Sequence, residues 1–440
     1  MRCAQLTAAV TTATAGLDRR LGRGGSSGSR PSLLVGTLTV DQTIRAQANW
    51  IASTQLSDGA IPEAPVPAGN TSAYVTPYVS DYAVMGLARA AAVTGDQAYL
   101  SDAWKMLDFY ARHEQPSTGY VDDFNVPYPS GTGAEPTGHY NSTDSYAALF
   151  LLGAYETVEA GGGTIPRADS WVVGAATTAL DALLSTQQAS GLFFATPTYT
   201  AALAMDNAED DGGLLAAARL FGIAGDSEAA TRARTAAERL GTGIQKDMWN
   251  ATQGSFDWAV PESGAPNVSN VATTKYPDAV AQAWMVGYGA VTPTEAFELV
   301  NELEGFQPEL FSWSEGHQLF AVALWALEQV GHQRAAREDA ASISADLVAA
   351  SYHWPVTTGA VGELIVAETG GLGLSPPFHQ QCEPTTNTSG SCAPGSRSAI
   401  PVGTVGGATL AGVLGVAGGT VLVFDRRRRR HPPKGCRTSR

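Results

Sequence analysis

The chain has 440 residues, 44% hydrophobic and 8% aromatic, with a formal net charge of −15. That content supplies a sizeable folded core and excludes a disordered chain. Residues 1–40 and 426–440 are net basic, so the body between them is more acidic than the whole; a body of that sign would repel nucleic-acid phosphates, which excludes nucleic acid as a partner.

Residues 1–40, beginning "MRCAQLTAAVTTATAGLDRR", read as a leader whose Thr-rich apolar stretch makes an atypical export signal. Residues 41–375 follow as Ala- and Leu-rich runs at helical spacing. Runs such as "GDQAYLSDAWKMLDFYARHE" keep one polar face and should lie outside. "SDYAVMGLARAAAVTG", "STDSYAALFLLGAYETV", "DNAEDDGGLLAAARLFG", "PDAVAQAWMVGYGAV" and "SEGHQLFAVALWALEQVG" are more apolar and should lie inside. A Gly followed by an apolar residue punctuates these runs at Gly59, Gly119, Gly191, Gly254, Gly305 and Gly359. Each reads as a helix C-cap, where the left-handed conformation costs Gly least. An interval of about 50–70 residues with two helices per unit predicts an all-α, closed (α/α)6 toroid of six hairpins. Its weakest unit is the sixth, "GELIVAETGGLGLSPP".

Beyond the toroid, residues 376–398 form a Pro-, Ser- and Thr-rich stalk in which Cys382 and Cys392 could pair. Residues 399–424 carry no charge and run into Asp425 and Arg426 to Arg430, the pattern of a membrane-spanning helix with a basic cytoplasmic tail at 425–440. The positive-inside rule then places the toroid outside the cell membrane as a single-pass, extracytoplasmic domain. The sequence leaves the oligomeric state open.

"WIASTQLSDGAI", "SDYAVMGLARAAAVTGDQAYLSDAWKMLDFY" and "STDSYAALFLLGAYE" resemble the six-hairpin glycosidase superfamily over roughly residues 41–375. "STDSYAALFLLGA" looks like a helix start of glycoside hydrolase family 8, and the two-carboxylate layout is similar to the unsaturated glucuronyl hydrolases. The resemblance implies that the inner helices run in parallel with their N-termini at one mouth. Acids should gather there: Asp81, Asp144, Asp206 with Glu209, Asp278 and Glu315. As caps these need no further role. On a shared mouth, however, repulsion and burial would push their pKa values apart, as a glycosidase requires.

The resemblance places Asp81 and Asp144 at the catalytic carboxylates, although family 8 carries Glu where Asp81 stands. Asp278 is the candidate base, and Asp206 and Glu315 are candidates to hold sugar hydroxyls. Sugar rings also stack on aromatic faces, so Tyr120, Phe124, Tyr140, Trp258, Tyr276, Trp284, Trp313 and Trp354 are candidate linings, with Trp258 and Trp313 the expected platforms. No two histidines have metal-ligand spacing, so neither a metal nor another cofactor is expected. The expected activity is a membrane-anchored glycoside hydrolase acting on a poly- or oligosaccharide. Alternatives are a polysaccharide lyase or epimerase using Tyr140 and His317, and a surface saccharide-binding protein without chemistry.

Overall fold

A computed structural model describes residues 39–374. The leader, stalk, membrane span and basic tail expected from the sequence lie outside the described residues, and no helix among those described is long and apolar enough to cross a membrane.

Among the described residues, twelve α-helices alternate between an outer and an inner layer. The outer helices are α1 (Val40–Thr54), α3 (Gln97–His113), α5 (Trp171–Ser185), α7 (Ser227–Gly243), α9 (Pro293–Phe306) and α11 (Gln333–Ala349). The inner ones are α2 (Pro77–Thr94), α4 (Asp144–Ala160), α6 (Ala204–Ala224), α8 (Val280–Gly287), α10 (Val322–Gln329) and α12 (Thr358–Glu368). Each inner helix packs on the next, and α12 packs on α2, so the ring closes. The inner helices are apolar nearly all round, as a doubly covered layer requires, and almost every residue of α4 is buried.

Capping chemistry marks where most of the outer helices begin. Thr39 and Gln42 form a capping box on α1, Thr292 and Glu295 form another on α9, and Asp96 and Asp226 cap α3 and α7. Gly95 and Gly225, both left-handed, end the inner helices α2 and α6 one residue before those Asp caps. A Gly-Asp pair therefore turns an inner helix into the next outer one.

The six glycines expected as equivalent C-caps are not equivalent. Gly59, Gly119 and Gly191 lie past the C-caps of α1, α3 and α5, in turns that touch the following outer helix. A Cβ there would sit 2.4 Å from Lys105 O, 2.7 Å from Thr178 O and 2.2 Å from Arg239 O respectively. The Gln55 amide braces one such turn by donating to Gly59 O (2.9 Å) and to Asp102 O on α3 (2.8 Å). The Gln187 amide repeats the device, donating to Gly191 O and to Ala236 O at 3.0 Å each. Gly254 occupies a turn with open space around it, Gly305 lies inside α9, and Gly359 lies in α12.

The sixth inner helix, which looked weak in sequence, is complete because its glycines serve packing. A Cβ on Gly362 would meet Tyr82 O at 2.1 Å, one on Gly359 would meet Val79 O at 2.7 Å, and one on Gly86 would meet Gly362 Cα at 2.5 Å. Glycine lets the backbones of α2 and α12 touch, which is how the ring shuts.

Three short antiparallel sheets decorate the loops: β1 (Ser72–Val75) with β2 (Phe124–Pro127) and β3 (Glu135–Pro136), β4 (Ala201–Leu203) with β7 (Ala259–Pro261), and β5 (Trp249–Asn250) with β6 (Ser255–Phe256). Strands β1 and β4 lead directly into α2 and α6. At the C-terminal ends of α2 and α6, Arg89 pairs with buried Glu156 (2.6 Å) and donates to Leu372 O (2.7 Å), while Arg219 donates to Leu374 O.

The two kinds of turn glycine should differ in cost. Gly191→Ala combines a φ of +99° with a backbone collision and is expected to lose roughly 3–5 kcal/mol. Gly254→Ala, at φ +70° with nothing within 4 Å, should lose about 1–2 kcal/mol. Denaturant unfolding compares them; equal losses would show that the close approach to α7 contributes nothing.

Candidate functional site

The first turns of the inner helices share one mouth, as the parallel arrangement requires. A cavity of about 120 Å³ opens there, lined by Tyr78 and Tyr82 of α2, Ser145 and Tyr146 of α4, Asp206 of α6, Trp284 of α8, and Gly359, Ala360 and Glu363 of α12. The connecting segments add Glu63, Asn141, Ser142, Tyr276 and Gln318 to Phe320.

Behind this wall Glu209 of α6 is fully buried. Its Oε1 accepts from Tyr78 OH (2.7 Å), Tyr82 OH (2.6 Å) and Trp284 Nε1 (2.9 Å). Three donors on one oxygen suit a carboxylate, because a charged acceptor gains most from each bond. Tyr82 OH also lies 2.7 Å from Tyr288 OH; since Tyr82 gives its proton to Glu209, Tyr288 must donate to Tyr82. Burial raises the pKa of Glu209, and the Tyr82, Tyr78 and Trp284 donors pull it only part of the way back, so it stays above the usual carboxyl range. Ser145 also favours the ionised form, yet neither Ser145 Oγ nor Glu209 Oε2 completes a hydrogen bond of good geometry.

A charge held there acts on its neighbours. Asp144 is fully buried; its Oδ1 accepts from Ser142 Oγ and from the Ser145 N–H (2.8 Å), and Oδ2 has no partner. Burial, opposed by those bonds and reinforced by Glu209, raises its pKa to about 7. Asp206 is raised well above the usual carboxyl range by burial, then by Asp144 and Glu209. Glu363 accepts from the Ala321 N–H at 3.1 Å, just before α10 begins, and burial with Glu209 raises it to about 8. Glu63 is pushed up to about 7 by burial and then by Asp123. Asp123 itself is held by Tyr74 OH (2.6 Å) and Tyr146 OH (2.8 Å).

No protein-family model matches the sequence, and no curated protein matches it significantly. Solved structures do match. A point variant of a glycosidase aligns at TM-score 0.52 and 13% identity, over 77% of this chain and 98% of its own. A GH63 mannosylglycerate hydrolase from Thermus thermophilus, in complex with glucose, aligns at 0.51 and 12%, over 74% and 99%. An uncharacterized conserved protein from the same organism aligns at 0.52 and 12%, over 74% and 99%. The fold is that of the six-hairpin glycosidases.

Within this six-hairpin framework the expected site residues separate. Asp206 lines the cavity and Asp144 lies directly behind Ser142 and Ser145, so the structure brings these two together. Asp81 is not among the residues that line the cavity: it is fully buried with neither oxygen partnered, and it acts on Tyr110 of the outer helix α3. Its position one turn into α2 points it between the layers. Asp278 spends Oδ1 on the Asn270 N–H (2.5 Å), anchoring the loop before α8 outside the cavity lining.

Glu315 does not begin an inner helix. It is exposed in a turn seven residues before α10, beside His317, whose Nδ1 lies 3.0 Å from Ser314 Oγ. The expected platforms also lie elsewhere. Trp258 packs on Ala195, Ala201, Leu203 and Ala259, and Trp313 is buried with Nε1 donating to His317 O (2.7 Å). Tyr120 and Tyr140 pack on each other at 5.8 Å, outside the lining. Of the candidate linings Tyr276 and Trp284 do reach the cavity, where Tyr78, Tyr82, Tyr146 and Phe320 complete the aromatic walls and Tyr276 stacks on Phe320 at 6.3 Å.

Glu63 and Glu363 were missed. Each is a lone acid in an apolar setting, "AIPEAP" and "TGAVGELIV", and that isolation is the signal that could have found them. Among the described residues no three His, Cys, Asp or Glu side chains are placed to hold a metal ion.

The raised carboxyls set the sign of the pH response. Glu63, Asp144 and Glu363 keep protons in the folded state up to about 7, 7 and 8, whereas the unfolded chain releases them near about pH 4–4.5. Stability should therefore be greatest near pH 4–5 and fall as pH rises toward 8, by up to about 1.4 kcal/mol per group per pH unit. Melting temperatures from pH 5 to 8 test this; a rising Tm would contradict the buried protonated carboxyls.

Proposed function

We propose that this chain is a glycoside hydrolase that cleaves a terminal sugar in the mouth cavity, with Asp206 as general acid and Glu63 as base or nucleophile. The observation that carries the reading is a pair of carboxyls, borne by elements on opposite sides of the ring, that line one aromatic-walled cavity. Asp206 stands on α6. The backbone of Glu63 is tied to the start of α12, with Thr358 N donating to Glu63 O at 2.8 Å. Helices α6 and α12 are third and sixth in a ring of six, hence opposite. Of the three cavity carboxyls, Glu63 ionises first as pH rises, near about 7, because only burial and Asp123 oppose it. Asp206 holds its proton more tightly because it is buried, with Asp144 and Glu209 behind it. A glycosidase needs that division of labour.

Asp144 shares the proton economy of Asp206 and steers Ser142 and Ser145 at the wall. Glu363 and Gln318 are placed to receive sugar hydroxyls, and the aromatic walls to receive the apolar ring face. That the solved structures matched include glycosidases supports the substrate class, a poly- or oligosaccharide. The outward, single-pass placement is part of the proposal and rests on the uncharged run at 399–424 with its arginine cluster.

A lyase or epimerase is disfavoured by the tyrosines. Tyr140 and His317 do not line the cavity. Those tyrosines that do are poor proton acceptors, with Tyr276 raised to about 12 by burial, Asp206 and Glu209, and Tyr78 and Tyr82 raised further by burial and Glu209.

On a substrate found by screening a glycan panel for reducing-end release, Asp206→Asn and Glu63→Gln should each lower kcat by about 10²–10⁴-fold. Asp278→Asn, whose carboxyl anchors a loop, should change kcat less than about tenfold. Activity should rise through about pH 7 as Glu63 ionises and fall at higher pH as Asp206 loses its proton. Full activity in Asp206→Asn would defeat the assignment.

A further inference from the structure

The cavity's charge pattern says more about the sugar than the fold does. Glu63, Asp206 and Glu363 line it, Asp144 and Glu209 stand behind it, and among the described residues no Lys, Arg or His lines it. Lys275 sits with its Nζ 5.3 Å over the Phe320 ring of the wall and is also drawn to Glu309. Glu63 is the telling group. It is buried as a residue and lines the cavity, and among the described residues its carboxyl makes no hydrogen bond or ion pair. Its oxygens therefore remain open to the cavity, free to accept from a group that enters it.

A uronate, sulfate or phosphate would bring a negative charge beside these carboxyls and find no cation in the described lining, so anionic sugars are disfavoured by desolvation and repulsion together. A neutral sugar would find hydrogen bonds but would do nothing to favour the ionised form of the carboxyls. An ammonium group would find charge-assisted acceptors in Glu63 and Glu363 and, beside them, the faces of Tyr78, Tyr276 and Trp284. Resting on the glycosidase reading above, we propose that the sugar this cavity selects carries a free, protonated amino group: a hexosamine that is not N-acetylated. Acetylation would remove the charge and add bulk to a cavity of about 120 Å³.

The proposal implies a proton signature. An ammonium placed beside Glu63 and Glu363 lowers their pKa from about 7 and about 8, so at pH 7 binding releases protons; Asp206, Asp144 and Glu209 reinforce the attraction, and Lys275 opposes it from outside the lining. The neutral parent sugar should release none.

Calorimetry on the full chain at pH 7, in two buffers of different ionisation enthalpy, tests this with glucosamine, galactosamine and mannosamine, each beside its neutral parent, its N-acetyl form and glucuronate. At least one amino sugar should bind about tenfold or more tightly than its neutral parent, with net proton release, and glucuronate should be the weakest. Glu363→Gln, checked for an unchanged melting profile at pH 5, should narrow the amino-to-neutral ratio by about tenfold. If no amino sugar outbinds its parent, or if glucuronate outbinds the amino sugars, the inference falls. A parallel assay on the nitrophenyl glycosides of the same sugars separates it from the catalytic reading. Cleavage of neutral glycosides without amino preference overturns this inference and leaves the hydrolase standing; amino-sugar binding without cleavage does the reverse.

Discussion

The buried carboxylate of Glu209 is the interaction on which the inner ring and its mouth both depend. It joins α6 to α2 through Tyr78 and Tyr82 and to α8 through Trp284. Charges this deep are tolerated only when hydrogen-bonded, and three donors on one oxygen supply that. The cost of hiding one charge is then felt by every other acid nearby. Asp144, Asp206, Asp210 and Glu363 all find ionisation harder because Glu209 is there. A structural tie and an electrostatic setting are the same group.

Ring closure poses a second constraint, that of distance. Six inner helices around a small bore must approach closely, and the glycines at the α2 and α12 contact allow it. Similar logic holds in the outer layer, where Gly59, Gly119 and Gly191 let a turn press against the neighbouring helix backbone and Gln55 and Gln187 fasten two of the three turns. These contacts hold the first turns of the inner helices in register, and those first turns are the cavity wall.

The mouth that results is acidic, aromatic and without a cation in its lining. Its carboxyls differ through position alone: Glu63 answers mainly to burial and Asp123, while Asp206 answers to burial with Asp144 and Glu209. Ligand selection and proton distribution thus derive from one arrangement.

What the sequence alone determined was periodic and local. The alternation of apolar and one-sided helices, the turns at Gly59, Gly119 and Gly191 and the acids at Asp144 and Asp206 were legible because they depend on residues a few positions apart, whereas Gly305 and Gly359, which fitted the same local pattern, lie inside helices. The Gly-Asp joints at Gly95 and Gly225 were equally local. What only the tertiary structure decided was which side chain faces the mouth. Asp81 and Asp144 both sit near inner-helix starts, yet a difference of one turn aims one between layers and the other at the cluster. Trp258 and Trp313 were attractive by composition but are consumed by packing. Glu363 is a lone acid in an apolar stretch and Glu63 lies in a loop; they become cavity groups only because α12 returns to α2 and holds residues 62–63 beside it. Orientation around a closed ring depends on contacts between residues some 300 positions apart, such as Thr358 with Pro62, and no local pattern encodes them.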